Sequence, residues 1–279
     1  MIIAIFPNTS KSQTCDIARG IKDYLHSEGV TVVAEDENAH IVGATPFSSV
    51  PAASVDFVIT LGGDGTILRL VHHHPALSAP IIAINMGSLG FMADITIDEI
   101  YPSLKKFLQG DYFVQSRIAM DATLKTQFQH AVNEIVIHRA ANPCLINLAI
   151  YVDDHYLNTF SADGVIISTP SGSTAYSLAA GGPIVTPDLN AFILTPICPH
   201  TISNRPLVLL PQKELIIEYI SSHKPVEVTF DGFPCFNMST GDRLVITRSK
   251  RDFQLVRLPN HDYYATLRSK LGWSGKLKG

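Results

Sequence analysis

The chain is poor in charge and has almost no concentrated charge. Only 16% of its 279 residues are Asp, Glu, Lys or Arg, the net charge is −4, and no basic run exceeds the short SKR at 249 to 251. An extended nucleic-acid interface would need a basic footprint that is missing here. Long apolar runs are also missing. None reaches the roughly 18 residues that span a bilayer, so no membrane partner is expected. The opening MIIAIFPNTSKSQ lacks the basic start and long apolar core of a signal peptide. It reads instead as a first strand and a turn, and the expected location is cytoplasmic. The four cysteines, Cys15, Cys144, Cys198 and Cys235, form no CxxC pair. That argues against a disulfide framework and against a structural zinc site. The sequons at Asn8 and Asn237 carry no weight without a secretory route. What the chain does have is a 46% hydrophobic composition, enough to bury the cores of two modest domains.

Up to about residue 110 strand-like and helix-like segments alternate, the signature of a parallel sheet with flanking helices. IIAIF (2 to 6), TVVAED (31 to 36), VDFVITL (55 to 61) and PIIAIN (80 to 85) are strand candidates. Ile17, Ile21, Tyr24 and Leu25 fall at helical spacing, and 97 to 110 predicts a helix stopped by Gly110. Beyond residue 111 β-branched runs broken by turn residues predict a β-rich, sandwich-like domain. Its strands include VNEIVIH, CLINLAIYVDD, VIISTP, LVLLP, LIIEYI, VEVTFDG and RLVITRS, and Asp153-Asp154 and Asp231-Gly232 have hairpin-turn chemistry. STAYSLAAGG (173 to 182) predicts a helix with Ser173 or Thr174 near its N-cap and Gly181 at its stop. In the closing 262 to 273, Tyr264, Leu267 and Leu271 share a helical face that suits packing on either domain.

The sharpest chemical signal is TLGGDGTILRL, residues 60 to 70. Glycine serves where backbone takes positive φ or approaches a ligand closely. Three glycines between a strand and a helix fit a loop whose amides face phosphate at a helix N-terminus. The spacing is neither GxxxxGK[ST] nor GxGxxG. An aspartate inside a phosphate loop makes sense if it binds Mg²⁺ or accepts a proton from an attacking hydroxyl, the chemistry of a kinase with an alcohol acceptor. The plainer reading is a tight turn in which Asp64 caps the helix. His72-His73-His74 does not read as a metal site, because neighbouring helical side chains diverge by about 100°. It reads as an exposed helix end.

GGDGT is common to NAD kinases, to diacylglycerol and sphingosine kinases and, in related form, to phosphofructokinases. A longer segment, SADGVIISTPSGSTAYSLAAGGPIVTP (161 to 187), closely resembles the NAD kinase family. So do the NxGxLGF pattern from Asn85 to Phe91, the pair Asn133-Glu134 and the run TPICPHTISNRPLVL (195 to 209). The resemblance implies an α/β N-terminal domain over 1 to 110, completed by 251 to 279, and a β-rich NAD-binding domain over 111 to 250. It implies phosphoryl transfer from ATP, or from polyphosphate, to the 2′-hydroxyl of the adenosine ribose of NAD, giving NADP. It also implies a divalent metal, Mg²⁺ in most members. The assembly would be a homodimer or homotetramer with the site between domains and partly between subunits.

Carried onto this sequence, the resemblance makes Asp64 the general base, and Gly62, Gly63 and Gly65 the phosphate loop. Arg69, one turn on, can meet a phosphate or be a solvated helix charge. Asn133 and Glu134 match the pair that binds NAD, and Asp163 an aspartate of the substrate pocket. Ser161 stands where relatives often carry arginine. Thr174, Ala175, Tyr176, Ser177, Leu178 and Ala179 match a segment lining the NAD site, with Tyr176 as plain core aromatic the alternative. Cys144 and Phe233 fall at variable contact positions. Asp231 matches an aspartate near the substrate but also suits its turn. No residue is singled out as a metal ligand. The competing functions are a lipid or sugar kinase sharing GGDGT, against which the 169 to 183 segment and Asn133-Glu134 argue, and a catalytically silent NAD-binding sensor.

Overall fold

The structure, a computed structural model, describes residues 1–10, 13–87, 89–201, 203–211, 213–259 and 262–273. Ser88 of the MGSLGF segment, Ile202 of the 195 to 209 run, and 274 to 279 of the returning segment lie outside the described residues. The chain divides into two compact units, Met1–Ser116 with Gln254–Gly279, and Arg117–Phe253.

The first unit is built on β1 (Ile2–Pro7), α1 (Gln13–Ser27), β2 (Thr31–Ala34), α2 (Ala39–Val42), β3 (Thr45–Pro46), β4 (Phe57–Gly62), α3 (Asp64–His73), β5 (Ile81–Asn85), α4 (Ile100–Leu108) and β6 (Phe113–Arg117). Its sheet is completed from the far end of the chain and runs in the order β3-β2-β1-β4-β5-β19-β6, where β19 is Phe253–Arg257. The pairs β1–β2, β1–β4, β2–β3, β4–β5 and β5–β19 are parallel. Strands β1, β4 and β5 are buried almost throughout, as parallel strands covered on both faces must be. Ile21 and Leu25 of α1 and Leu104 and Phe107 of α4 pack against Ile3, Ile5, Ile59 and Ile82. The chain moves outward from β1 through β2 to β3, then restarts on the other side of β1 with β4 and β5. In open α/β sheets the crevice at the carboxyl ends of the strands flanking such a reversal is where ligands bind. Here those ends are Pro7-Asn8 and Gly62-Gly63-Asp64.

The second unit is an antiparallel sandwich. One sheet orders β11-β10-β15-β18-β7-β8 and the other β14-β13-β12-β9-β16-β17. These are β7 (Met120–Leu124), β8 (Gln127–Ala131), β9 (Glu134–His138), β10 (Ile146–Val152), β11 (His155–Ala162), β12 (Gly164–Ser168), β13 (Phe192–Ile197), β14 (Leu207–Leu209), β15 (Leu215–Tyr219), β16 (Val226–Phe230), β17 (Phe233–Met238) and β18 (Arg243–Arg248). Alternate residues of both sheets, among them Ile135, Ile137, Val165, Ile167, Leu148, Ile150 and Ile217, form one core. The hairpin turns fall where expected: Asp153 and Asp154 have φ of 48° and 63°, and Asp231 and Gly232 of 51° and 84°.

The 173 to 182 segment departs from the expected helix. It forms a 3₁₀ turn at Gly172–Thr174, then the single helical turn α5 (Tyr176–Ala179), with Ala175 between them in a non-helical conformation. Ser173 does not cap a helix. Its buried hydroxyl donates to Pro170 O at 2.7 Å and accepts from Val185 N at 3.1 Å, which folds the segment back on itself. Gly181, with φ of 88°, does end it. The last helix, α6 (Tyr263–Leu271), is capped by Asp262 and buries Thr266 and Leu267. Tyr264 is exposed, so the buried face is offset from the expected stripe. The histidine run also differs from expectation. His74 is half-buried and its ring packs on Phe6 and Phe47, with centroids 4.9 and 5.4 Å away. Burial holds its pKa below the usual histidine value.

Candidate active site

Asp64 opens α3 at the carboxyl end of β4, but it does not cap that helix. Its carboxylate turns outward to the segment after β5. Oδ2 accepts from Phe91 N at 2.8 Å, and Oδ1 from Met92 N at 3.1 Å and Ala93 N at 3.0 Å. A carboxylate offers roughly four acceptor positions, so this arrangement leaves one. Gly90, which the spacing arguments passed over, has a specific reason to be glycine: a Cβ there would collide with Asp64 Oδ1. Gly62 likewise leaves room for Thr66, whose side chain a Cβ would strike.

Gly63 and Gly65 are different. Neither has positive φ, contrary to one of the two reasons for expecting glycine, and a Cβ at either would meet nothing within 4 Å among the described residues. Nothing inside the first unit requires their lack of a side chain. Arg69 is half-buried one turn further along α3, with no ion-pair partner among the described residues.

In the second unit the antiparallel pairing of β9 with β16 brings the turn at Asp231 beside the start of β9. Asp231 is 7% exposed, and its carboxylate accepts from Val132 N at 2.9 Å, Asn133 N at 2.7 Å and Glu134 N at 3.1 Å. It is therefore both the turn former and the anchor that sets Asn133 and Glu134. Those two side chains are themselves unsatisfied. Asn133 Oδ1 and Glu134 Oε2 are buried with no hydrogen-bond partner among the described residues. Burial, and then the charge of Asp231, push the Glu134 carboxyl up to about 8. The free protein thus holds it mostly protonated at neutral pH. Buried polar groups are nearly always paired, so two orphans side by side mark a place suited to a polar ligand.

The Thr174–Ala179 segment lies on the outer face of the same sheet, where Ala180 packs on Val136, Ile166 and Ile197. Tyr176 is 43% exposed, which excludes the core-aromatic reading. Ala179 is exposed, Thr174, Ala175 and Leu178 are half-buried, and Thr174 donates to Ser171 O at 3.2 Å. Ser177 is buried and its hydroxyl bonds Thr195 at 2.9 Å, so it fastens the segment to β13.

Asp163, Ser161 and Cys144 are not brought to Glu134. Gly164 pairs with His138 and Ser168 with Glu134, so Asp163 sits at the opposite end of β9. Five residues at about 3.4 Å each put the two ends about 17 Å apart. Asp163 pairs there with Arg139, Nε to Oδ1 2.7 Å. Arg139 was not visible in the sequence as a partner, because only the β9–β12 register makes the two meet. Ser161 pairs with Asn147 across β10–β11, and Cys144, just before β10, is exposed. Phe233 begins β17, beyond the Asp231 turn.

Residues 3–112 match the family model of the ATP-NAD kinase N-terminal domain, and residues 132–258 that of the ATP-NAD kinase C-terminal domain. The curated NAD kinase of Protochlamydia amoebophila is 56% identical over 278 residues, covering 99% of this chain and all of that protein. The chain belongs to the NAD kinase family. Its activity is that of an enzyme phosphorylating NAD, and the lipid-kinase, sugar-kinase and silent-sensor readings lose their footing. The NAD kinase of Geotalea daltonii is 37% identical over 279 residues, covering 97% of this chain and 98% of its own length. Among solved structures, a yeast NADH kinase complexed with NADH superimposes with a TM-score of 0.90 at 28% identity, covering all of this chain and 89% of that one. An NAD kinase from Archaeoglobus fulgidus in complex with ATP gives 0.77 at 25%, covering 99% and all of the respective chains.

Proposed function

We propose that this kinase transfers the terminal phosphoryl group of ATP, or of polyphosphate, to the 2′-hydroxyl of the adenosine ribose of NAD, with Asp64 as general base. The observation that carries the reading is the setting of Asp64. It is a carboxylate oriented by three amides with one acceptor position left, flanked by Gly63 and Gly65, whose missing side chains leave open space. A ribose hydroxyl is a poor nucleophile until its proton has an acceptor. The free position on Asp64 supplies one, while the glycine amides at the start of α3 and the unpaired Arg69 meet donor phosphates. The ATP bound by the Archaeoglobus fulgidus relative supports this donor.

In the second unit, Glu134 Oε2 and Asn133 Oδ1 are the groups that NAD hydroxyls and the amino group of its adenine would satisfy. Asp231 holds them in place, and Tyr176 presents an exposed ring for stacking. The first unit is thus read as the nucleotide-binding, phosphoryl-transferring part and the second as the NAD-binding part. The separation of about 17 Å along β9 leaves Asp163, Ser161 and Cys144 without a role at the Glu134 end. It favours a homodimer or homotetramer in which a second copy brings its Asp163 end to the NAD.

Among the described residues no group of three His, Cys, Asp or Glu side chains converges as a metal cage. Mg²⁺ is ordinarily held by substrate phosphates with one or two carboxylates. The cation would neutralise charge on the donor phosphates. Among the described residues no helix is long and apolar enough to cross a membrane. The test is incubation with NAD, Mg²⁺ and either ATP or polyphosphate, with product read by an NADP-specific dehydrogenase. The expected product is NADP with at least one donor. A phosphorylated product that the dehydrogenase rejects would place the phosphate elsewhere and refute the proposal.

A further inference from the structure

The segment that holds Asp64 is gripped from its other side by Arg257. This residue ends β19 and is 1% exposed. Its guanidinium donates from Nη1 to Met92 O at 3.0 Å and from Nη2 to Phe91 O at 3.3 Å. Nε donates to Gln115 Oε1 at 3.2 Å, and Nη1 pairs with Asp94 Oδ2 at 2.8 Å.

Combined with the bonds to Asp64, this produces a specific pattern. The peptide unit joining Phe91 to Met92 accepts from Arg257 at its oxygen and donates to Asp64 from its N–H. The next unit, Met92 to Ala93, does the same. Two consecutive peptide planes therefore bridge a cation and an anion, each polarised by both. Chains of hydrogen bonds arranged this way strengthen one another in a low-dielectric interior. Residues 89 to 94 belong to no helix or ladder, so the direction of these amides is not fixed by regular secondary structure. Arg257, anchored in the sheet and turned by Gln115 and Asp94, fixes it.

We propose that Arg257 is a positioning residue for phosphoryl transfer. Through the two peptide units it sets the orientation in which Asp64 presents its remaining acceptor position. The inference rests on the reading of Asp64 as base. Arg257 is too buried to touch either substrate, so its effect falls on turnover rather than on substrate affinity. A purely structural ion pair with Asp94 would instead lower stability and leave the kinetics of the folded fraction unchanged.

The test compares four variants of the full chain: Arg257→Gln, Arg257→Lys, Asp64→Asn and, as a stability control away from the site, Ile21→Ala in α1. Active-site misplacement of about an ångström slows turnover by about 100-fold. Arg257→Gln is therefore expected to lose about 10- to 100-fold in kcat, with KM for NAD and ATP within about twofold. Lysine keeps the charge, but one ammonium lacks the fork that serves both carbonyls, so Arg257→Lys falls between. Ile21→Ala melts earlier with kcat unchanged. Should Arg257→Gln fail to fold, Arg257→Lys decides: lower kcat at unchanged KM supports the proposal, and wild-type kcat overturns it. A folded Arg257→Gln with wild-type kcat, or with raised KM at unchanged kcat, overturns it while a dead Asp64→Asn leaves the base reading intact. An active Asp64→Asn removes both.

Discussion

The buried Glu134 carboxyl makes the stability of the free protein depend on pH in an unusual direction. Its pKa rises from the ordinary 4.5 to about 8. The native state therefore keeps a proton that the unfolded chain has already lost over that whole range. Where the native state binds more protons than the unfolded one, stability falls as pH rises. The loss begins near pH 4.5 and is complete above about pH 8. At about 1.4 kcal/mol for each tenfold change in proton affinity, the full penalty is about 5 kcal/mol, of which about 3 kcal/mol is already present at pH 7. These are ceilings, because relaxation and water entry lower the penalty in real proteins. Glu134→Gln keeps the shape and removes the ionisation. The prediction is a thermal midpoint higher than wild type at pH 8, converging with it at pH 5, measured by calorimetry without ligand. The same variant should raise KM for NAD, because an amide replaces the carboxyl whose unpaired Oε2 is the proposed partner of the NAD hydroxyls. Wild type and variant with parallel pH dependence between 5 and 8 would refute the reasoning about burial. An unchanged KM would remove Glu134 from NAD binding.

Gly63→Ala meets no atom within 4 Å and keeps an allowed conformation at φ −110°. It should leave thermal stability within about 0.5 kcal/mol of wild type but raise KM for the phosphoryl donor, and an unchanged KM would show that the glycine does not face a ligand. Gly90→Ala drives a methyl into Asp64 Oδ1, so kcat should fall while NAD binding, measured by calorimetry, holds. Loss of NAD binding instead would place Gly90 in recognition. Asp231→Asn replaces a charged acceptor of three amides by a neutral one with a single oxygen and should destabilise the protein by about 1–3 kcal/mol. Unfolding curves that coincide with wild type would contradict its anchoring role.

The elements legible in the sequence were those whose local signal and tertiary role agree. β1, β4 and β5 are continuous apolar runs because both faces of the parallel sheet are covered, and the two Asp-containing hairpins declare themselves through turn chemistry. β8 (Gln127–Ala131) and β11 (His155–Ala162) carry too many polar residues to stand out. Both are sheet edges, where the partner strand rather than the composition holds them. Ser173 does not cap a helix because Pro170 and Val185 engage its hydroxyl. At the site, the glycines around Asp64 suggest a phosphoryl-transfer loop and the resemblance suggests Asn133-Glu134, and the proposed function keeps both readings. The anchors were not readable. Asp231 meets residues 132 to 134, Arg257 meets 91 and 92, and Arg139 meets Asp163 only because sheet topology joins segments remote in sequence. Gly90 sat inside a recognised pattern, but its reason lies in a carboxylate carried by a different element.

The central claim is that Asp64 accepts the proton of the attacking hydroxyl. The measurement that tests it most directly is turnover and NAD affinity of Asp64→Asn beside wild type, with ATP and Mg²⁺ saturating and folding verified by thermal melt. The account predicts loss of NADP formation by several orders of magnitude, within the roughly 100- to 10,000-fold range of general-base catalysis, with the Kd for NAD nearly unchanged. Near-wild-type turnover in a folded variant would contradict it, and Asp64 would then be a clasp for residues 91 to 93 and nothing more.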